Sequence, residues 1–476
     1  MIKRIIGFFA RLFSVERLLK PENRLGDVPS SRELYSGFFK LAWPTMLESA
    51  VTSLTGFVDT MMVGTLSTAA ISAVGLTGQP RLLIFAIFFS INAGITAVVS
   101  RKKGQGDRDG ANAAMHTGLL LCLVLAVLAF TLASVFSVPL LKFAGATGEN
   151  AGILPQAKVY FLITVAGVCI NAFGMALNAA QRACSNTKIA FRTTVIANVV
   201  NVAFNYLLIN GHLGFPRLEV TGAAIATLLG NICACAVSVA SVLKKDGYLK
   251  LSFFRLKHIS ARYMGMIGRV SLGTGMEQMF IRFGMFMFAK VVAELGTDEF
   301  ATHQICMTLI SITFAFGDGL GVAASALVGQ NLGKKRPDLS ELSAKAAQRV
   351  GMLISVVMFT VFMVGGRWLV SLFSDVAFVV DTGEKIMRIV AVVALFQVVQ
   401  TINTGCLRGA GDTHYTAVVS FFSIAAIRPV VAYLLCYPAG FGVIGAWIAL
   451  FIDQTTRFVA SNIRFAGGKW KSIKLG

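Results

Sequence analysis

Long apolar runs, separated by short polar segments, recur along the whole chain. Runs of 18 or more predominantly apolar residues occur twelve times, and a helix needs about 20 such residues to cross a bilayer. The ten-residue alternation typical of barrel strands is missing. The pattern therefore predicts an all-α polytopic membrane protein with twelve transmembrane helices. The predicted spans are Phe38–Leu66, Ser72–Ser100, Ala111–Ser134, Tyr160–Gln181, Ile189–Ile209, Thr221–Leu243, Tyr263–Ala289, Phe300–Val328, Ala344–Val364, Ile386–Cys406, Tyr415–Cys436 and Val443–Ile463.

A basic connector after the sixth span, residues 244–262, divides the chain into two halves. Motifs in the first half recur in the second at offsets of 229, 226 and 223 residues: VVSRKKGQGDRD with LVGQNLGKKRPD, QRACSNTK with LRGAGDTH, and TGAAIATLLGN with IGAWIALFIDQ. Because each unit has six spans, the copies share one orientation and are related by a pseudo-two-fold axis along the membrane normal. The predicted organisation is a cytosolic amphipathic segment 1–37, a six-helix lobe 38–243, the cytosolic linker 244–262, a second six-helix lobe 263–465 and a cytosolic basic tail 466–476.

Composition agrees with this class. The 476-residue chain is 55% hydrophobic, with a mean hydropathy of +0.72, which is far too apolar for a soluble protein of this size. Its formal net charge of +20 comes from Lys and Arg in alternate loops, with 32 on one side and about seven on the other. This is the positive-inside pattern, which predicts that both termini are cytosolic. The charge therefore indicates topology and contact with anionic membrane lipids rather than a nucleic-acid partner.

The eight cysteines lie mostly within apolar runs and form no CxxC motif, so they predict neither a disulfide framework nor a zinc site. The first twenty residues alternate basic and apolar groups at helical spacing, which predicts an interfacial amphipathic helix; an uncleaved disordered tail is the alternative.

Two carboxylates, Glu48 and Asp59, lie inside the first apolar run. They are eleven residues apart, which places them on nearly one helix face and about 16 Å apart in height. A charge at that depth usually faces a cavity or a partner, although each could be a satisfied structural group. At an offset of 229, Glu48 corresponds to Glu277 and Asp59 to Phe288, so the second acid is unique to the first half.

Polar residues also form a stripe within spans 5 and 6. Asn198, Asn201 and Asn205 are three and four residues apart, and Ala223 shares a helix face with Thr227. One carboxylate with several neutral oxygens suits a monovalent cation, and a buried aspartate also suits a proton. The alternative is a set of interhelical hydrogen bonds that only hold the helices together.

The other charges inside spans are interpreted separately. Asp453 and Arg457, four residues apart, are expected to pair with each other. Arg428 is a candidate partner for Glu277 across the second half. Asp318 lies in GDGLG, where the glycines suggest a bend, and the sequence assigns it no role.

Several of these motifs resemble the multidrug and toxic compound extrusion (MATE) transporters. They are VDTMMVG from Val58, RKKGQGD from Arg101 and LRGAGDT from Leu407, in a six-plus-six layout over about residues 38–464. The resemblance implies a two-lobed antiporter that exports organic, often cationic, compounds in exchange for sodium ions or protons. Carried over, the cation site would comprise Asp59, Asn201, Asn205, Thr227 and the carbonyl of Ala223, with Asp59 and Asn205 as candidate sodium ligands.

The chain departs from the family pattern at two positions, because Asn205 and Gln397 stand where some members carry aspartates. These amides leave the coupling ion and the stoichiometry open. The candidate residues of the substrate cleft are Glu48, Glu277, Gln397, Arg428, Met276 and Met279. Methionines near Glu277 could form a pliable surface for apolar compounds, and core or lipid contact is the alternative.

The sequence thus predicts a cation-coupled exporter of the plasma membrane that has no cofactor and no enzymatic activity and that acts as a monomer on small organic, amphipathic compounds. There are two alternatives. A lipid-linked oligosaccharide flippase of the same superfamily would show more spans and an Arg-lined cleft, whereas only Arg282 and Arg428 could serve here. A membrane-embedded transferase would need an aspartate-rich magnesium motif, which the sequence lacks.

Overall fold

The computed structural model describes residues 13–64, 68–143, 152–244, 247–252 and 260–475. Within these ranges the side chains of residues 57–61, 63–64, 68–73, 79 and 210 are not described. The predicted helix over the first twenty residues lies largely outside the described residues. Within residues 13–20 the structure shows one four-residue helix, Val15–Leu18.

The described part of the chain contains twelve long helices. They are α1 Ser31–Gly64, α2 Thr68–Gly104, α3 Arg108–Val135, α4 Leu154–Ala183, α5 Thr187–Asn210, α6 Glu219–Leu243, α7 Ala261–Ala293, α8 Thr297–Gly333, α9 Pro337–Ser371, α10 Ala377–Ala410, α11 Thr413–Cys436 and α12 Gly442–Ala466. Eleven of them contain a predicted span in full, and α1 contains the first predicted span as far as Gly64. Ten of them are both long and apolar enough to cross a membrane. The other two, α1 and α7, have 34 and 33 residues. At 1.5 Å per residue each is about 50 Å long, which is long enough to cross a bilayer. The all-α polytopic fold is confirmed.

The internal repeat is visible in the backbone. Gly106 and Lys335, which are 229 residues apart, both adopt left-handed conformations, with φ of +74° and +58°. Ser185 and Gly411, 226 residues apart, do the same, with φ of +70° and +88°. Because left-handed residues outside glycine are uncommon, their recurrence at both offsets shows that the two halves make the same turns between helices.

The chain folds into two compact units. Unit 1 contains Met1–Ser49 and Leu272–Leu475, and unit 2 contains Ala50–Ser271. The division therefore falls within α1 and within α7, so that the beginning of each helix packs with the opposite half of the sequence. In unit 1, Phe38 and Ala42 of α1 join a buried cluster with Ala323 of α8. At the offset of 229 the equivalent contact in unit 2 is made by Ile267 and Ser271 of α7 against Gly94.

Segments outside the spans pack against the helix ends. In unit 1, Leu18 and Leu19 lie against Leu342 and Ala346 of α9. The indole of Trp470 is buried and stacks on Phe465 with ring centroids 5.0 Å apart. In unit 2, the described part of the linker lies along α3, where the backbone N–H of Lys250 donates to Asn112 Oδ1 at 2.7 Å.

The turn before α3 contains the RKKGQGD motif. Asp107 accepts a hydrogen bond from the backbone N–H of Gly110 at 2.8 Å and so caps the helix. It also forms an ion pair with Lys102, at 2.8 Å. The hydrogen bond from the Lys102 ammonium, followed by that from Gly110, holds the pKa of Asp107 below its ordinary value. The motif is therefore built to end one helix and begin the next.

Candidate functional site

In unit 2, the predicted polar residues of α5 and α6 come together as one connected group. Asn205 donates through Nδ2 to Asn201 Oδ1 at 3.3 Å, and Asn201 donates through Nδ2 to Thr227 Oγ1 at 3.2 Å. Thr227 in turn donates to the backbone carbonyl of Ala223, at 3.0 Å. Asn201, Asn205 and Ala223 are buried, so the group lies inside the packed helices rather than on their lipid-facing surface.

A methionine of α1 shows where this helix lies relative to the polar group. Asp59 lies within α1, in the part that belongs to unit 2, but its side chain is outside the described residues. Met62, one turn further along, packs against the buried cluster that contains Ala223, Tyr160 and Val220. The turn of α1 that carries Asp59 is therefore next to Ala223, the residue of α6 at which the hydrogen-bonded polar group ends.

These residues supply the kind of oxygen ligands that a small cation requires. Amide, hydroxyl and backbone carbonyl oxygens are hard neutral ligands, and Asn201, Thr227 and Ala223 present one of each within a few ångströms. Asn198, which continues the stripe, has a buried Nδ2 with no hydrogen-bond partner among the described residues. Four of the five residues assigned to the cation site thus meet, while the ligand role of each remains a prediction.

In unit 1, Glu277 is bound on both carboxylate oxygens. Arg408 donates to it through Nη2 at 2.6 Å and through Nε at 3.1 Å, and Thr416 Oγ1 donates at 2.9 Å. Glu277 is 2% exposed. Such a bidentate, charge-assisted contact is strong and geometrically specific, so the negative charge of Glu277 is already neutralised within the protein.

The expectation that Arg428 pairs with Glu277 is wrong. Arg428 binds Asp453 instead, through Nη2 and through Nε at 3.1 Å. The expected pair of Asp453 and Arg457 is confirmed, with Arg457 Nη2 at 3.3 Å from Asp453 Oδ2. Ser423 also donates to Asp453. All of this cluster is buried.

A π-helical segment explains why Arg428 turns toward α12. In α11, residues Phe421–Ile427 form a π-helix directly before Arg428, and a π-segment holds one residue more than the α-helical turns it replaces. It presents Ser423 and Arg428 to Asp453 together. Apolar composition in this stretch gives no sign of a π-segment, so the sequence could not assign Arg428 its partner.

A small cavity separates the two ionic clusters of unit 1. It is lined by Glu277 and Arg457, and also by hydroxyl and amide side chains that include Thr404, Ser420 and Gln400. Its volume of about 10 Å³ is room for about one water molecule. Both clusters therefore border one polar space inside the helix bundle.

The remaining residues assigned to the substrate cleft differ in exposure. Gln397 is fully buried, and both of its amide atoms have no hydrogen-bond partner within the described ranges. Met276 and Met279 are 42% and 55% exposed, and Glu48 is partly buried. Their role in substrate binding remains a prediction, as does that of Glu277 and Arg428.

Sequence reasoning missed Arg408 and Thr416 as partners of Glu277. The positive-inside pattern counts Arg408 only among the charges of the inner loops, although it lies near the end of α10 in the LRGAGDT motif. The signal that could have found it is its position just after the apolar run that ends at Cys406, because an arginine that still lies within the helix usually pairs with a carboxylate.

Taken together, twelve long helices with buried polar groups in their interior define a polytopic helical membrane protein. The model of the MatE family matches residues 44–207 and 274–434. The chain is 25% identical over 442 residues to the probable multidrug resistance protein NorM of Thermotoga maritima, covering 92% of this chain and 94% of that protein. It is 23% identical over 433 residues to the uncharacterized transporter YisQ of Bacillus subtilis, covering 91% and 94%.

Solved structures agree in fold. One described as the outward-facing conformation of a multidrug resistance MATE family transporter has a TM-score of 0.84 at 21% identity and covers 92% of this chain and 97% of that chain. A MATE in complex with MaL6 also has a TM-score of 0.84 at 21% identity, with 96% and 99% covered. Because the family model matches more than half of the chain, this protein belongs to the MATE family. It is a multi-pass membrane transporter of small organic substrates and not an enzyme.

Proposed function

We propose that this protein is a secondary active exporter that exchanges a sodium ion or a proton for organic, cationic and amphipathic compounds. Membership of the MATE family and the multidrug resistance names of its relatives support the substrate class. The asymmetry of Lys and Arg supports a plasma-membrane protein with both termini in the cytosol. The protein acts as a monomer that contacts membrane lipids and needs no cofactor.

The connected polar group of α5 and α6 is the observation that carries the coupling proposal. It gathers Asn201, Asn205, Thr227 and the Ala223 carbonyl beside the turn of α1 that contains Asp59. A carboxylate beside neutral oxygens can hold either a sodium ion or a proton. Ion binding there stabilises the conformation that releases substrate outward, because a ligand shifts an equilibrium only by its differential affinity for the two states.

One carboxylate limits the site to one positive charge. Asn205 is an amide, so Asp59 is the single acid that this proposal places at the site, and a proton and a sodium ion together would leave an uncompensated charge. Sodium and proton should therefore compete strictly. Sodium affinity should fall about tenfold for each pH unit below the pKa of the site, with one proton displacing one sodium ion.

The test is sodium binding to the purified protein across a pH series, measured with radioactive sodium for wild type and Asp59→Asn. The variant should lose sodium binding but keep its fold, because an amide has the size of the carboxylate and a smaller desolvation cost. Asp381→Asn is the matched control, since Asp381 is exposed and paired with Arg367. Equal sodium binding by wild type and Asp59→Asn would place the ion site elsewhere.

Transport measurements test whether coupling depends on Asp59. Wild-type protein in vesicles should export a cationic dye when a sodium or a pH gradient is imposed, and Asp59→Asn should do so under neither gradient. Export by the variant at the wild-type rate would contradict coupling through Asp59.

A further inference from the structure

One face of α8 is polar and exposed over the first half of the helix. The exposed positions at helical spacing are Ala301, Gln304, Thr308, Ser311 and Asp318, interrupted by the small residue Ala315 and bordered by Ile312. From Gln304 to Asp318 this face extends for about 21 Å. The hydroxyls of Thr308 and Ser311 donate to backbone carbonyls of α8 itself, so the evidence for water comes from Gln304 and Asp318. An ionisable side chain at this depth faces a water-filled space or a partner rather than lipid.

Asp318 lies at the end of this face. The next positions at the same spacing are less exposed: Val322 is partly buried, and Ser325 and Gly329 are buried. The exposed face therefore runs from the beginning of α8, which the proposed topology places outside, to a carboxylate just past the midpoint of the helix.

The backbone around Asp318 is held by close helix contacts. A Cβ on Gly317 would lie 3.2 Å from Thr401 of α10, and one on Gly319 would lie 2.6 Å from the Met46 backbone of α1. Thr45 Oγ1 also donates to the Gly319 carbonyl, at 2.7 Å. The glycines of GDGLG do not interrupt the helix, since α8 is continuous from Thr297 to Gly333. The glycines allow these close contacts, which fix the position from which Asp318 extends.

Asp318 differs in its partners from the other carboxylates deep in unit 1. Among the described residues it has no ion pair, whereas Glu277 is bound by Arg408 and Asp453 by two arginines. Arg408 and Glu277 are the charges that act on Asp318 from a distance. Since Arg408 and Glu277 are paired with each other, an ionised Asp318 would be the uncompensated charge of these three.

The repeat shows that this carboxylate belongs to one half only. At the offset of 229 that relates the turns after α2 and α8, Asp318 corresponds to Phe89. A residue needed for packing in this position would not have to be acidic, since the other half uses an aromatic ring there.

We propose that Asp318 binds the positive charge of the exported compound. This proposal rests on the proposed export of organic cations and names the residue of unit 1 that recognises them. An exposed carboxylate at this depth is energetically acceptable where it faces water. A large organic ammonium or phosphonium ion, which is weakly hydrated, can then replace that water at small desolvation cost.

The test measures binding of tetraphenylphosphonium, a permanent cation, to purified protein by titration calorimetry. Asp318→Asn should weaken its binding about tenfold or more, because a charge-assisted contact is lost. Binding of the neutral compound triphenylphosphine oxide should stay within about twofold, and Asp318→Glu should restore most of the cation affinity. The control is again Asp381→Asn, which removes an exposed carboxylate that is already paired with Arg367 and should leave both affinities unchanged.

Three outcomes would overturn the assignment: wild-type affinity in Asp318→Asn, an equal loss for both compounds, or no cation binding by wild type. Vesicle transport by wild type tests the proposed function separately. If neither ion gradient drives export but tetraphenylphosphonium still binds through Asp318, the exchange mechanism fails and the recognition site stands.

Discussion

Replacing Asp453 with asparagine should strongly destabilise the protein. Asp453 is fully buried and accepts hydrogen bonds from Arg428, Arg457 and Ser423. Its cluster carries one negative and two positive charges, so the substitution raises the net charge from +1 to +2 inside the helix bundle. Leaving a buried charge without its partner costs about 3–5 kcal/mol. We expect Asp453→Asn to lower the free energy of unfolding by about that amount.

A second substitution tests the electrostatic origin of this loss. Asp453→Asn with Arg457→Gln returns the cluster to +1 and should recover part of the stability, although it removes a further hydrogen bond. Asp381→Asn breaks an exposed pair with Arg367 and should change stability little, because water and salt screen such pairs. Reversible unfolding in mixed detergent micelles would give the free energies. A loss of less than about 1 kcal/mol in Asp453→Asn, or no recovery in the double variant, would refute the account.

Two further predictions concern packing and topology. Gly405→Ala would place a Cβ 2.6 Å from the Gly321 carbonyl oxygen, and by forcing α8 and α10 apart it should lower the free energy of unfolding by about 1–3 kcal/mol. Gly365→Ala is the control and should cause no such loss, because no atom lies within 4 Å of the new Cβ. Equal unfolding free energies for the two variants would contradict the close contact. In a background without native cysteines, Lys334→Cys should be shielded from an impermeant thiol reagent added outside and Arg217→Cys should react. The reverse labelling pattern would invert the topology.

The spans and the repeat could be predicted because they depend on local properties of the chain. Burial in lipid requires long apolar runs, and recurring turns such as those at Gly106 and Lys335 require recurring motifs. The helices extend beyond the predicted spans, as α1 does by beginning at Ser31 rather than Phe38. Apolar composition marks the length within the bilayer, whereas backbone hydrogen bonding continues through polar residues at its surface.

Ionic partners could be predicted only where they lie close in sequence. Asp453 and Arg457 are one turn apart, so helix geometry alone brings them together. Glu277 and Arg408 are 131 residues apart, and their pairing depends on how α7 and α10 pack. Nothing in the periodicity of either helix determines that choice.

The two halves differ at the positions that we assign to the ion and to the substrate. Thr227 corresponds to Leu450 at the offset of 223 and Asp59 to Phe288 at 229, and both equivalents lie in the apolar core of unit 1. Asp318 corresponds to Phe89 in the first half. The proposed cation site and the proposed recognition carboxylate therefore belong to different units. If both assignments hold, an ion and an organic cation do not compete for one carboxylate, and direct displacement cannot drive exchange. Coupling must then arise from two conformations that differ in affinity for each ligand, and the effect of sodium on substrate affinity must equal that of substrate on sodium affinity.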